Sequence, residues 1–234
     1  MAQNGITVST DWWVNIFYII GTGSPAIISY LILKHNKVVS GFYDWIRNIF
    51  TFKKPIWMYL FSVGLCVLYY VSMIVIGGTG EMKPFYMMLV LVPFMVVGGG
   101  HEEAGWRYIL QPALEKRFGF VLASLVVGVI WSLWHLPLFF IPGTGQYGTD
   151  FWIFAVYVTG LSFALGAIRK ITDSVFLCVL FHCLFNAAST VFNPNVTWLN
   201  VLISTAILIF ASLASVVLFK KRGLKKTDNI TFML

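Results

Sequence analysis

Charge is what this sequence has least of. Only 11% of its 234 residues are Asp, Glu, Lys or Arg, against roughly 25% in a soluble domain. That shortfall excludes an ordinary water-soluble globule. Cysteine is also scarce: Cys66, Cys178 and Cys183 all fall in apolar runs, and an odd number so placed argues against a disulfide framework. Cys178 and Cys183 flank His182, but C-x-x-x-H-C is not a zinc spacing, and small buried hydrophobes describe them better. No Lys or Arg precedes the first apolar run and no cleavage site follows it, so the sequence reads without a signal peptide. Soluble domains, long linkers and internal repeats are missing, and so is a Ser–His–Asp set.

What is present is apolar: 59% of the chain is hydrophobic and 17% aromatic. A hydrocarbon core of ~30 Å needs about 20 apolar residues per helix, and such runs recur at 12–33, 56–76, 85–112, 119–140, 151–168, 174–192 and 198–219. The fold class expected is therefore all-α, a polytopic transmembrane helix bundle of about seven spans, with 1–234 as one membrane-embedded domain. Gly21, Gly23 and Pro25 predict a kink in the first span. The third is the least regular, interrupted by Gly98–Gly100 and the charged cluster beyond them.

The basic residues give the bundle a direction. Lys34, Lys37, Arg47, Lys53 and Lys54 lie in the first loop, Lys116 and Arg117 after span three, and Arg169 and Lys170 after span five. Lys220, Lys221, Arg222, Lys225 and Lys226 follow span seven. Of the 16 basic residues, only Lys83 in an outer loop and Arg107 in a motif stand apart. The positive-inside rule then predicts a multi-pass protein of the cell membrane, N-terminus extracytoplasmic and C-terminus cytoplasmic. The net charge of +7 is membrane-side anchoring, with no nucleic-acid partner. Within the first loop, GFYDWIRNIF reads equally as an amphipathic surface helix or as plain loop. Asn229-Ile230-Thr231 matches a glycosylation sequon, but on the wrong side.

Few ionisable groups remain inside the spans: His101, Glu102, Glu103, Arg107, His135 and His182. Such groups are functional candidates by default. In GGGHEEAGWR, Glu103 and Arg107 are four apart on one helical face, acid before base, the favoured order. Glu102, about 100° away, faces in line with Trp106 and is left without that partner. A carboxylate so placed suits proton transfer near neutral pH; an interhelical ion-pair network is the competing reading. In WSLWHLPLFF, Trp131 and His135 share a face, and in FHCLFN so do His182 and Asn186. Singly, each histidine also reads as a hydrogen-bonded packing residue.

Together, Glu, His, His and Asn on three spans can activate water, directly or on a metal held by His135 and His182. Their charge is tolerated if they line a wet cavity enclosed by protein. At about 1.5 Å per residue from the inner basic anchors, Glu102, His135 and His182 lie roughly 22, 27 and 18 Å deep. Helix tilt can absorb that spread.

E-E-x-x-x-R, aromatic-x-x-x-H and H-x-x-x-N in this order resemble the CPBP family of intramembrane proteases, the CAAX-protease and bacteriocin-processing (Abi) family. The matching stretches are EEAGWRYILQPALEKRFG, WSLWHLPLFF and HCLFNAAS, a core of about 98–189. The resemblance implies a helical bundle hydrolysing peptide bonds of membrane-associated peptide or protein substrates, CAAX-like or bacteriocin-type. Glu102 would be the general base, acting with His135 on water. His182 and Asn186 would complete the site and stabilise the oxyanion, with Glu103 and Arg107 as a supporting ion pair. The family is described as metalloproteases, which implies zinc or another divalent metal; a metal-free glutamate mechanism is equally compatible with these residues. Trp131 stands where Phe is common, and Tyr108 stands where a glycine often follows the arginine, which predicts a narrowed cavity. The alternatives are a proton-coupled transporter or channel using the same groups as a relay, and a non-catalytic immunity or scaffold protein. Against transport, no two halves or inverted repeat are visible.

Overall fold

The computed structural model describes residues 12–221 and is all-helical over them. Arg222, Lys225, Lys226 and the Asn229 sequon lie outside the described residues. The helices are α1 (Trp12–His35), α2 (Phe42–Ile49), α3 (Ile56–Gly77), α4 (Met87–Phe94), α5 (Glu103–Gly105), α6 (Gln111–His135), α7 (Phe151–Thr172), α8 (Val175–Phe192) and α9 (Trp198–Lys221). Five helical stretches among the described residues are long and apolar enough to cross a membrane. One of these, Gly100–Phe140, merges the end of expected span three with span four. Gly119 divides it, at φ 75° and ψ 172° inside α6, a left-handed position that glycine adopts without steric penalty. With α1, and with α4 as the start of the third, the count of about seven spans stands.

Each expected irregularity has a physical form. Pro25 sits inside an unbroken α1, where it cannot donate to the carbonyl of Gly21. The hydroxyl of Ser24 donates there instead, at 2.8 Å. The third span breaks after α4 into turns, a 3₁₀ turn (Gly100–Glu102), the single α-turn α5 and a π turn (Trp106–Leu110). π turns widen a helix locally and recur at functional sites. The first loop contains helix: α2 buries Trp45 and Ile49 and exposes Tyr43, so the amphipathic reading is the one the chain adopts.

Lipid offers helices no hydrophobic drive to associate, so close backbone approach and polar contacts must hold them. A Cβ at Gly128 of α6 would stand 3.0 Å from the Thr159 Cα of α7, and one at Gly160 of α7 would stand 2.8 Å from the Thr205 Cγ2 of α9. Large apolar side chains such as Val75, Leu89, Val97 and Phe210 are outward and exposed, as a lipid-facing surface requires.

The loops gather at two ends. At one, Lys54 Nζ donates to the carbonyls of Thr172 and Asp173, and Lys170 pairs with Glu115. At the other, the backbone N–H groups of Gly80 and Lys83 donate to the carbonyls of Asn193 and Val191. The basic loops thus share an end, as their division in the sequence requires.

Candidate active site

The site begins with a backbone that only glycine permits. Gly99 lies at φ 147°. A Cβ there would fall 2.8 Å from His182 Nε2 and 2.9 Å from Asn186 Nδ2, so the chain runs directly against that pair. Asn186 Nδ2 donates to the carbonyl of Gly98 at 3.3 Å. Next, His101 ties the turn in place, with Nδ1 3.1 Å from the Val96 carbonyl and Nε2 3.0 Å from the Thr22 carbonyl of α1. Gly105 brings α5 so close to α1 that a Cβ would stand 2.6 Å from Pro25 Cβ. The charged turn is therefore clamped between α1 and α8.

The two glutamates then take different neighbours. Glu103 Oε2 lies 3.4 Å from Arg107 Nε, and Glu103 Oε1 lies 2.8 Å from His182 Nδ1. Glu103 and Arg107 are both fully buried. The guanidinium also lies over the Trp131 ring, 4.8 Å from its centroid, while its nitrogens align with no hydrogen-bond acceptor among the described residues. This pair is held by charge proximity, not by hydrogen-bond alignment. Glu102 is buried too, and its Oε2 accepts from Trp131 Nε1 at 2.7 Å and from Trp106 Nε1 at 3.3 Å. The expectation that Glu102 lacks a partner is corrected here: it faces Trp106 as the helical count requires, and two indoles hold it.

His135, at the end of α6, has Nδ1 2.9 Å from the Trp131 carbonyl. Since a carbonyl only accepts, Nδ1 carries the hydrogen and Nε2 is left for the site. Trp131 is the common neighbour: its ring lies 5.3 Å from that of His182 and 6.1 Å from that of His135. Glu102, His135 and His182 thus surround one indole, from three helical segments, with Asn186 one turn beyond His182. Tyr108 packs with the α1–α2 apolar cluster that includes Leu33 and Trp45, whereas Trp106 and Trp131 belong to the other cluster. Its bulk goes into helix packing, not into the expected narrowing.

The three cysteines are free and buried. Cys178 Sγ is directed at the carbonyls of Ser174 and Leu165, so it has no path to the cluster as a nucleophile.

A family model described as type II CAAX prenyl endopeptidase Rce1-like matches residues 84–188. CAAX prenyl protease 2 of Methanococcus maripaludis is 27% identical over 155 residues, which cover 62% of this chain and 54% of that protein. The chain thus spans about half the length of the curated relative it matches. The matched stretch includes every motif residue from Glu102 to Asn186 but ends before α9.

As a metal site the core offers two imidazoles, each with Nδ1 engaged by a carbonyl or carboxylate, the usual arrangement around a ligating histidine. A structural or catalytic zinc needs at least three protein ligands. Among the described residues no three His, Cys, Asp or Glu side chains are grouped to hold an ion. The donor set stops at His135 and His182, one protein ligand short of a zinc site.

Two features escaped the sequence reading. Trp131 and Trp106 enter it as an aromatic motif position and a facing neighbour, not as hydrogen-bond donors. The signal was there: a buried indole usually finds an acceptor for its N–H. Gly99 stands in the sequence only as part of an interrupting glycine run, not as a contact surface for His182 and Asn186.

Proposed function

We propose that the chain is an intramembrane endopeptidase hydrolysing membrane-associated peptides of the CAAX-like or bacteriocin type. The observation that carries the reading is the convergence of Glu102, His135 and His182 on Trp131, with Glu102 hydrogen-bonded to it at 2.7 Å. The likeness to a CAAX prenyl protease supports the substrate class.

In this mechanism a water lies between Glu102 and His135 Nε2. Glu102 removes its proton as the oxygen attacks the peptide carbonyl carbon, and the carbonyl becomes an oxyanion. His182 Nε2 and the second N–H of Asn186 stabilise that charge. His182 donates at Nε2 only when doubly protonated, because Nδ1–H already faces Glu103. Its proton also makes the set Glu102, Glu103, Arg107 and His182 electrically neutral. The C–N bond then breaks, and the proton passes from Glu102 to the leaving amine. Glu103 and Arg107 hold His182 and Trp131 in register. The basic end of the bundle faces the cytoplasm in this reading.

The test is purified wild type beside Glu102→Ala, in liposomes with a peptide library containing farnesylated CAAX peptides, with and without a chelator. Wild-type cleavage that disappears in the variant is the expected result, and chelator sensitivity reads metal dependence separately. Equal cleavage by both proteins overturns the reading.

A further inference from the structure

Trp131 and Trp106 are placed as few core tryptophans are. Both are buried, at 2% and 8% exposure. They come from different helical segments, yet both N–H groups reach the same oxygen, Glu102 Oε2. The face of Trp131 lies under the Arg107 guanidinium, and the Trp106 ring makes a T-shaped contact with that of Trp134. Packing alone would not require two indole edges to meet on one carboxylate oxygen.

Two donors on one oxygen have a definite chemical effect. They fix the carboxylate's rotation and hold its charge on Oε2, which leaves Oε1 as the free oxygen. They also supply local hydrogen bonds to a charged group that lipid would leave unsolvated. Arg107 above Trp131 withdraws electron density from the ring through the cation–π contact, which strengthens its N–H as a donor. The cation therefore acts on Glu102 through Trp131, while its direct ion pair goes to Glu103.

We propose that Trp131 and Trp106 are positioning residues that clamp Glu102 Oε2 and aim Oε1 at the attacking water. This rests on the reading of Glu102 as the general base. Trp131, with the shorter bond, carries the larger share.

The experiment uses the full chain in nanodiscs. Trp131 is replaced by 3-benzothienylalanine, which keeps the shape and puts sulfur where the N–H was; Trp131→Phe and Trp106→Phe accompany it. The substrate is whichever library peptide the wild type cleaves. A hydrogen bond to a charged group supports a kcat loss of about tenfold or more, with KM within about twofold because the clamp holds no substrate. Trp106→Phe should lose less than Trp131→Phe. Indole ¹⁵N–¹H spectra provide a readout independent of turnover: Glu102→Gln should move the Trp131 and Trp106 signals and leave the other indoles in place. Wild-type kcat in the benzothienyl protein, with Glu102→Gln inactive, overturns the clamp alone. Unmoved indole signals in Glu102→Gln overturn it as well. Wild-type turnover by Glu102→Gln instead overturns the base assignment beneath it.

Discussion

Neutralising Glu103 should damage the protein far more than neutralising Glu102, although the two are adjacent and both buried. Glu103 carries a fully buried guanidinium at 3.4 Å and an imidazole at 2.8 Å. In Glu103→Gln the amide can still accept from His182, but Arg107 loses its only close carboxylate among the described residues. Removing one partner of a buried ion pair costs about 3–5 kcal/mol, since the remaining charge is uncompensated. Glu102 has neutral donors only. In Glu102→Gln the amide oxygen can accept from Trp131, and two hydrogen bonds to a charge become bonds to a neutral group, a loss of about 1 kcal/mol each. No cation loses a direct ion-pair partner, since Arg107 and His182 both pair with Glu103. Yield and thermal midpoint of the detergent-solubilised proteins, followed by size exclusion after heating, separate the two. Glu103→Gln should fall well below wild type and Glu102→Gln should stay near it. A Glu102→Gln protein less stable than Glu103→Gln would refute this division of roles.

Other consequences are more local. Gly99→Ala forces a Cβ to 2.8 Å from His182 Nε2 at φ 147°; it should abolish cleavage and cost about 1–3 kcal/mol of stability, whereas Gly64→Ala, in open space within α3, should leave both intact. A protein with Cys66, Cys178 and Cys183 all changed to Ala should keep its activity and resist thiol reagents, and loss of turnover in that folded protein would return a cysteine to the mechanism. In the cysteine-free background, Lys53→Cys and Gln146→Cys should react with impermeant reagents from the cytoplasmic and outer sides respectively; reaction of both from one side defeats the seven-span topology.

Much of this arrangement was legible in the sequence because membrane proteins write their constraints plainly. Span positions follow from apolar run length, and the grouping of loops at two ends follows from where Lys and Arg fall. The Glu103–Arg107 pair and the Glu102–Trp106 contact follow from helical spacing alone. The break between spans three and four, expected between residues 112 and 119, falls at Gly119, and the residues before it belong to α6. What could not be read was contact between distant segments. That Glu103 reaches His182, 79 residues away, depends on how closely the charged turn approaches α8, and Gly99 and Gly100 set that through absent Cβ atoms. Nor does helical spacing tell which carboxylate the Trp131 indole reaches across 29 residues. Tyr108 illustrates the opposite failure: its size was visible, but not which cluster it would fill.

The central claim is that water is activated between Glu102 and His135, and turnover of Glu102→Ala, His135→Ala and the double variant tests it most directly. All three should be folded, in liposomes, on the best library substrate. Loss of a general base costs about 10²–10⁴ in rate. Residues that act as a unit should not show multiplied losses. Each single variant should lose at least about 10² in rate, and the double variant should fall little further. Wild-type-like cleavage by either folded single variant, or losses that multiply in the double, would contradict it.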